Sequence, residues 1–272
     1  MRRSSKSTEM NRRRFLRNSA GWALGAGGIL VPRLIRASAF TENVTQYLGA
    51  QPAISNHPYM PEPASLTGWW ILSGDGNDYS GNGANLTFGA TPNYAAGQNG
   101  GLSFQAGAGT GQTYAFTSAP ACNGWTSFSC SFWFLQAGFG TGAGRFFEKG
   151  ANNEITFCGQ TTLPGQGFYA PLGGSAFANT FTDIIGGVWA NYVITGIAGS
   201  TQQVYGNGSL LVSGTGGTPS SPTGSIYFCT YGGSPGSFQM GGNMQDVRFW
   251  KNVVLTSTEI SNLFAAGAAF HT

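Results

Sequence analysis

The sequence has few charged side chains. Asp, Glu, Lys and Arg make up only 8% of its 272 residues, against roughly 25% in typical soluble domains. The first 39 residues hold nine of the 13 basic side chains and one of the ten acidic ones. The rest therefore carries four basic and nine acidic side chains, a net charge of −5. Because nucleic-acid binding depends on neutralising phosphates, an acidic body without a basic patch argues against that class of partner.

Histidine is almost absent as well. His57 lies in a proline-rich stretch and His271 is the second-to-last residue. Neither position suits the histidine of a Ser-His-Asp triad or of a His-based metal site. The four cysteines form no C-x-x-C pair, which argues against a zinc or redox motif. A P-loop and a dinucleotide fingerprint are also missing.

The first 39 residues have the features of an export signal. In "NRRRFLRNSAGWALGAGGILVPRLIRASAF" a basic start is followed by a short apolar run and by small residues at Ala37 and Ala39. This layout predicts a signal peptide over residues 1–39 with an A-x-A cleavage site. The alternative, an uncleaved anchor helix, is disfavoured because the apolar run is too short to span a bilayer.

The basic start resembles a twin-arginine signal. The resemblance implies a prokaryotic protein that the twin-arginine translocase exports in folded form to the periplasm, the cell envelope or the exterior. The residues that carry this resemblance are Arg12, Arg13, Phe15 and Leu16.

Export to an oxidising compartment makes disulfides possible. Cys122 with Cys130 would close a short loop, and Cys158 with Cys229 would join the ends of two strand candidates. The sequence does not choose among the three full pairings of four cysteines. The alternative is four buried thiols, which are common in apolar strands.

The body has the composition of an all-β protein. It is rich in glycine, with 44 in the chain, and 14% of all residues are aromatic. Residues 40–66 contain clustered prolines and read as an extension or linker. Short strand candidates follow, such as "SFSCSFWFL", where Phe128 and Phe132 share one face and Trp133 shares the other with serines, which suggests partial exposure. Near the end, Thr256 and Glu259 predict a capping box, and Gly267 the end of that short helix.

Five segments in order resemble laminin-G-like, concanavalin A-like jelly-roll domains. This resemblance implies an antiparallel two-sheet sandwich with one short C-terminal helix, over residues 67–272. The chain departs from the pattern at Asn191, where histidine is frequent. The segments are "GWWILSGDGNDYSGNGANLTF", "GQNGGLSFQAG", "FSCSFWF", "GGVWANYVITGIAGSTQQVYGNGSLL" and "GGNMQDVRFWKNVVLTSTEISNLFAAG".

Metal binding is an open question at two carboxylates. The stretch "GDGNDYSGNG", residues 74–83, lacks the ligand spacing of an EF-hand and is predicted to connect two strands. The resemblance implies a structural calcium ion at Asp246. The alternative is a carboxylate paired with Arg248 or Lys251. Asp78 is a second calcium candidate, and its alternative role is to cap a turn.

Catalysis is not expected. Glycoside hydrolysis needs two carboxyl groups flanking one bond, and the nearest pair, Glu148 and Glu154, is interpreted as two solvated hairpin carboxylates. Most tryptophans are expected to be core; of the neighbours Trp69 and Trp70, at most one should be. We expect a noncatalytic exported module that binds carbohydrate or a glycan-bearing surface, with ligand residues unassigned. The alternatives are a self-assembling envelope protein and, last, a hydrolase.

Overall fold

The computed structural model describes residues 59–98, 101–107, 113–138, 143–149, 155–160, 168–169, 187–215, 217 and 224–270. All of them belong to one compact unit, Thr45–Thr272. A second unit, Met1–Val44, lies outside the described residues, and the predicted signal over residues 1–39 stays a prediction. No described helix is long and apolar enough to cross a membrane.

Within the described residues, fourteen strands form two antiparallel sheets. In chain order they are β1 Leu66–Trp70, β2 Thr87–Phe88, β3 Asn93–Ala96, β4 Leu102–Ala106, β5 Ala115–Thr117, β6 Ser127–Gly138, β7 Ala143–Lys149, β8 Ile155–Gln160, β9 Phe168–Tyr169, β10 Trp189–Ile197, β11 Thr201–Gly206, β12 Ser209–Thr215, β13 Ile226–Phe228 and β14 Gly241–Lys251. The larger sheet has the order β12-β11-β10-β6-β14-β4-β3, and β1 also pairs with β14. The smaller sheet has the order β2-β5-β13-β7-β8-β9. The predicted two-sheet sandwich is confirmed.

The alternation along β6 builds the core between the sheets. Phe128, Cys130, Phe132 and Phe134 share one face and are all fully buried, as predicted from the sequence. Phe134 meets Phe146 of the smaller sheet edge to face, with ring centroids 4.4 Å apart. The buried side chains between the two sheets define the inner face of each sheet. The opposite face of the smaller sheet is therefore its outer surface.

The outer face of the larger sheet is covered by a helix, α1, Ser257–Phe270. Phe264 of α1 stacks on Trp133 with ring centroids 5.8 Å apart, and Trp133 is only 3% exposed. The expectation that Trp133 is partly exposed is therefore wrong, because α1 covers its face. The same layer buries Trp69 in a second apolar cluster, while Trp70 lies in the main core. Both neighbours are core because the sheet has a packed layer on each side.

The start of α1 is as predicted, and its end is not. Thr256 Oγ1 accepts a hydrogen bond from the Glu259 amide at 3.3 Å, and Glu259 Oε2 accepts one from the Thr256 amide at 2.8 Å, which is the capping box. The helix passes through Gly267 to Phe270. A Cβ at Gly267 would lie 3.0 Å from Trp133 Nε1. Glycine at this position allows the helix to approach the sheet closely and does not end the helix.

Candidate ligand-binding face

Asp246 lies at an irregularity in β14. The pairing with β6 shifts register between Gln245 and Arg248, and Asp246 has a φ of 52°. Asp and Asn adopt this left-handed conformation more readily than most residues. The Asp246 amide donates to the Ile71 carbonyl at 3.0 Å. The bulge therefore holds β14 against the chain that follows β1.

The carboxylate of Asp246, only 4% exposed, accepts hydrogen bonds from three nitrogen atoms. Arg248 donates from Nε to Oδ1 at 2.9 Å and from Nη2 to Oδ2 at 2.6 Å. Trp69 Nε1 donates to Oδ1 at 2.8 Å. The structure therefore shows Asp246 paired with Arg248, which the sequence analysis gave as the alternative to a calcium ion. Because a guanidinium faces both oxygens, this donor set does not fit a calcium site, which needs a shell of oxygens.

The described residues contain no cluster of metal ligands. None of their His, Cys, Asp and Glu side chains come together in a group of three or more that could hold an ion. Calcium binding therefore stays a prediction, and a calcium ion at Asp246 would have to displace Arg248.

Asp78 organises the loop between β1 and β2. Its Oδ1 accepts hydrogen bonds from the amides of Trp69 and Ser80 at 3.0 and 2.9 Å. Its Oδ2 accepts from the Ser80 hydroxyl and the Ala84 amide, both at 2.9 Å. The stretch 74–83 connects two strands, as predicted, and Asp78 has the turn-capping role proposed as the alternative to a metal ligand.

The cysteines with described side chains are buried thiols. Cys122, Cys130 and Cys229 form no disulfide in the structure, and the side chain of Cys158 lies outside the described part. Burial raises the pKa of Cys122 to about 11 and raises those of Cys130 and Cys229 as well. Disulfide formation after export stays a prediction.

Glu148 is not the solvated carboxylate expected from the sequence. It lies on β7 and is 0% exposed. Its Oε2 accepts a hydrogen bond from the Gly232 amide at 2.8 Å and lies 3.7 Å from Arg145 Nε. The expectation failed because a later loop, residues 229–240, folds over β7. Glu154, the other member of the proposed pair, lies outside the described residues.

A row of aromatic rings lies on the outer face of the smaller sheet. Along β5 and β13, buried Ala115 and Phe228 alternate with half-buried Phe116 and Tyr227, so the latter two point outward. Phe116 and Tyr227 are directly opposite in register and stack with centroids 5.7 Å apart. Tyr114 extends the row, 6.2 Å from Phe116. The three rings form one continuous apolar strip.

Polar groups surround this strip. Phe116 is paired in register with the exposed Thr87, while the neighbour of Tyr227 in register on β7 is the buried Glu148. Just beyond the strands, the hydroxyls of Ser118 and Ser225 lie 2.6 Å apart. Tyrosine and serine hydroxyls both donate and accept hydrogen bonds. The surface thus offers ring faces together with polar groups on several sides.

The loop of residues 229–240 continues the surface past Glu148. It is tied together internally: the Tyr231 amide donates to the Ser237 carbonyl at 3.1 Å, the Ser237 amide to the Ser234 carbonyl at 3.0 Å, and the Gly236 amide to Thr230 Oγ1 at 2.7 Å. The Gly232 contact to Glu148 anchors it to β7. These hydrogen bonds hold the shape of the loop, and its two ends, Cys229 and Met240, are buried in the main core.

Phe238 is the most exposed ring of this loop. It is 42% exposed and has a φ of 47°, a left-handed conformation that costs roughly 1–3 kcal/mol for a bulky residue. The Phe238 carbonyl accepts a hydrogen bond from the Arg145 amide at 2.7 Å. Its ring meets that of Tyr231 edge to face, with centroids 5.7 Å apart. The fold thus holds a strained residue in place with its ring in solvent.

We call this surface the aromatic face. The sequence analysis did not predict this face, because it weighed the tryptophans and assigned no ligand residues. Most tryptophans of the described part of the chain lie in the two cores. The available signal was the alternation of "TYAFTS" and "SIYF" and the glycine-rich "YGGSPGSF". The aromatic face consists of Tyr114, Phe116, Tyr227, Tyr231 and Phe238, with Arg145 and Glu148 beneath it.

The two antiparallel sheets and the covering helix define a jelly-roll sandwich. The Laminin_G_3 family model matches residues 109–261, which is more than half of the chain. The chain belongs to the concanavalin A-like lectin/glucanases superfamily. Comparison with curated proteins gives no significant match.

Several solved structures share the fold at low identity. Domain 4 of AbnA, a GH43 extracellular arabinanase from Geobacillus stearothermophilus, solved with arabinotriose, has a TM-score of 0.55 and 18% identity over 73% of this chain and 98% of that one. The binding domain of botulinum neurotoxin DC in complex with SialylT has a TM-score of 0.57 and 17% identity over 75% and 51%. A botulinum neurotoxin type C structure, whose report ties cell entry to two ganglioside molecules, has 0.58 and 15% over 75% and 51%. The chain spans about half the length of the neurotoxin chains, and these likenesses show the fold alone.

Proposed function

We propose that this chain is an exported, noncatalytic module that binds carbohydrate through the aromatic face. The observation that carries the proposal is the continuous strip of outward-facing rings on a rigid sheet, extended by a strained loop that presents Phe238. The C–H faces of sugar rings stack on aromatic rings, while hydroxyl and backbone groups take the sugar hydroxyls. Fully burying an aromatic side chain contributes about 1.5–3 kcal/mol, and a ligand that covers the exposed part of these rings would gain a fraction of that free energy for each ring.

The comparisons support this proposal without deciding it. An arabinanase domain with the same fold was solved with arabinotriose, and the type C neurotoxin report names ganglioside molecules. Both are proteins of 18% identity or less to this chain, so they motivate the carbohydrate class and leave the particular sugar open.

Noncatalytic binding is favoured over hydrolysis by the position of Glu148. Among the described residues it is the one carboxylate beneath the aromatic face, whereas hydrolysis needs two, about 5–9.5 Å apart. Its buried contacts with Gly232 and Arg145 are those of a loop anchor. Residues 232–236 spell G-x-S-x-G, but the segment lies in a loop over a sheet, not between a strand and a helix. A hydrolase would show turnover that Glu148→Gln abolishes.

A glycan array followed by calorimetry tests the proposal. We expect wild-type protein to bind at least one class of oligosaccharide or polysaccharide. Phe116→Ala and Tyr227→Ala should each weaken that binding about fivefold or more, since a ring at the centre of an interface contributes more than about 1 kcal/mol. Ile197→Ala, at a 42% exposed position at the end of β10, is the matched control. Silence across the panel, or equal loss in the control, contradicts the proposal.

Self-assembly is the second candidate, and strand β12 favours it. In the described part of the chain, β12 ends the order of the larger sheet, and its sequence SLLVSGT has no charge and no proline. Such an edge can pair with a second copy. Sedimentation at high protein concentration should then show oligomers that Leu210→Lys disperses. A strictly monomeric wild-type protein removes this candidate.

A further inference from the structure

Three of the four basic side chains of the domain, Arg145, Lys149 and Arg248, are buried. Lys149 is fully buried, and its Nζ donates to Asn123 Oδ1 at 2.7 Å and to the Gly224 carbonyl. Arg248 is 1% exposed and is bound to Asp246 through two hydrogen bonds. Neither can reach a ligand on the surface. After residue 39 the basic residues are Arg145, Lys149, Arg248 and Lys251.

Arg145 is the basic side chain at the aromatic face. Lys251 lies at the end of β14 in the larger sheet, whereas the aromatic face belongs to the smaller one. Arg145 is only 7% exposed. Its guanidinium carbon lies 5.2 Å from the Tyr231 ring centroid and 6.0 Å from that of Phe238. Its Nε lies 3.7 Å from Glu148 Oε2. The charge of Arg145 is therefore balanced from below and covered by rings from above.

We propose that the aromatic face selects uncharged glycans and rejects carboxylated or sulfated ones. This inference rests on the proposed function and narrows its ligand class. Recognition of an anionic sugar group uses an exposed Arg or Lys that can donate charge-assisted hydrogen bonds. Within the described residues, the aromatic face presents rings and hydroxyls, and its one guanidinium is already paired with a carboxylate. A neutral sugar needs nothing more than this surface offers.

An anionic sugar meets two penalties. For Arg145 to turn outward, it would have to leave the carboxylate of Glu148, which is 0% exposed, and separating the charges of a buried ion pair is unfavourable. Without that movement, the anionic group gains no exposed cation and approaches a body with a net charge of −5, and like charges repel. Discrimination therefore comes from the buried ion pair and not from a steric block.

Matched ligands provide the first test. Calorimetry compares a neutral glucan oligosaccharide, or the best neutral ligand of the array, with the same oligosaccharide oxidised to carboxylates at its primary alcohols. We expect the neutral ligand to bind with a Kd that changes less than about twofold between about 50 and 500 mM salt. The carboxylated ligand should bind at least about tenfold more weakly at the lower salt concentration, and the gap should narrow as salt screens the repulsion. Tighter binding of the carboxylated member overturns the inference alone. Failure of both members, and of every glycan on the array, overturns the proposed function as well.

Releasing Arg145 provides the second test. Glu148→Gln keeps an oxygen that can accept from the Gly232 amide but removes the charge that pairs with Arg145. In this variant the ratio of the two dissociation constants, carboxylated over neutral, should fall at least about fivefold. Binding of the carboxylated ligand should also weaken as the salt concentration rises. Glu62→Gln, an exposed carboxylate outside the aromatic face, should leave the preference unchanged. An unaltered preference in Glu148→Gln that still binds the neutral ligand overturns the role of the ion pair, and if the variant does not fold, the matched-ligand comparison on wild-type protein decides alone.

Discussion

Replacing Asp246 by Asn tests what holds β1 against β14. The substitution removes one charge from a buried pair and leaves Arg248, 1% exposed, without its counterion. It does not disturb the backbone, because Asn adopts the left-handed conformation of this position as readily as Asp. The amide oxygen can still accept the hydrogen bond that Trp69 Nε1 donates. The change therefore removes the charge and the acceptor of the hydrogen bond from Arg248 Nη2 while leaving the backbone in place.

The expected loss is large for a single side chain. Removing one partner of a buried ion pair costs about 3–5 kcal/mol. For a domain of this size, that corresponds to a fall in Tm of roughly 6–20 °C. Urea denaturation of wild type, Asp246→Asn and the exposed control Glu62→Gln measures the difference. The double variant Asp246→Asn with Arg248→Met should recover part of the loss, since it also removes the cation whose charge Asp246 balances.

The same variants test calcium. If the guanidinium is the cation of this site, wild-type melting curves should coincide in calcium and in chelator. If calcium displaces Arg248, stability should rise by about 2.7 kcal/mol at a hundredfold excess over the dissociation constant. An Asp246→Asn protein within about 1 kcal/mol of wild type would refute the ion-pair reasoning.

Four further outcomes are expected. Phe238→Gly should relieve the left-handed strain and raise stability by about 1 kcal/mol in urea denaturation while weakening glycan binding, whereas Phe238→Ala should weaken binding without the gain; no loss of binding in either removes Phe238 from the site. The raised pKa of the buried thiols, Cys122 at about 11, predicts slow reaction with thiol reagents at pH 8 in folded protein; four thiols released by denaturing exported protein would contradict the predicted disulfides. Burial, followed by the charge of Asp75, raises the pKa of Tyr79 to about 12, so its contribution to stability is complete below about pH 10 and is lost as pH rises towards 12, which alkaline melting curves check. Arg12→Lys with Arg13→Lys should block export, and exported protein with an intact N-terminus would contradict cleavage before Phe40.

Local patterns predicted most of the fold. The alternation of Phe128 and Phe132 in β6 and the Thr256–Glu259 box depend on neighbours in sequence, and both are present as expected. The burial of Trp133, and of Trp69 together with Trp70, was not expected, because it depends on α1 folding back over the larger sheet. The residue pattern within a strand does not show that a helix covers its outer face. Prediction from periodicity alone therefore treats that face as exposed.

The site was harder to predict than the fold. Glu148 looks like a hairpin carboxylate because its partners, the Gly232 amide and Arg145, are supplied by a loop more than eighty residues later and by its own strand. The stacking of Phe116 on Tyr227 requires β5 to pair with β13, two short strands far apart in the chain. Sequence-local reasoning found the turn role of Asp78 because Ser80 and Ala84, which donate to its carboxylate, lie within six residues of it.

We propose that the aromatic face of the smaller sheet is the ligand surface. An NMR titration of isotopically labelled protein with a neutral oligosaccharide from the array tests it most directly, because it locates the ligand without any substitution. We expect the largest shift changes at residues 114–118, 225–228 and 230–238, with aromatic protons of Phe116, Tyr227 and Phe238 broadened or shifted. The changes should be smaller along β12 and α1. Shift changes that cluster on the larger sheet or along α1, with the aromatic face unaffected, would contradict the account.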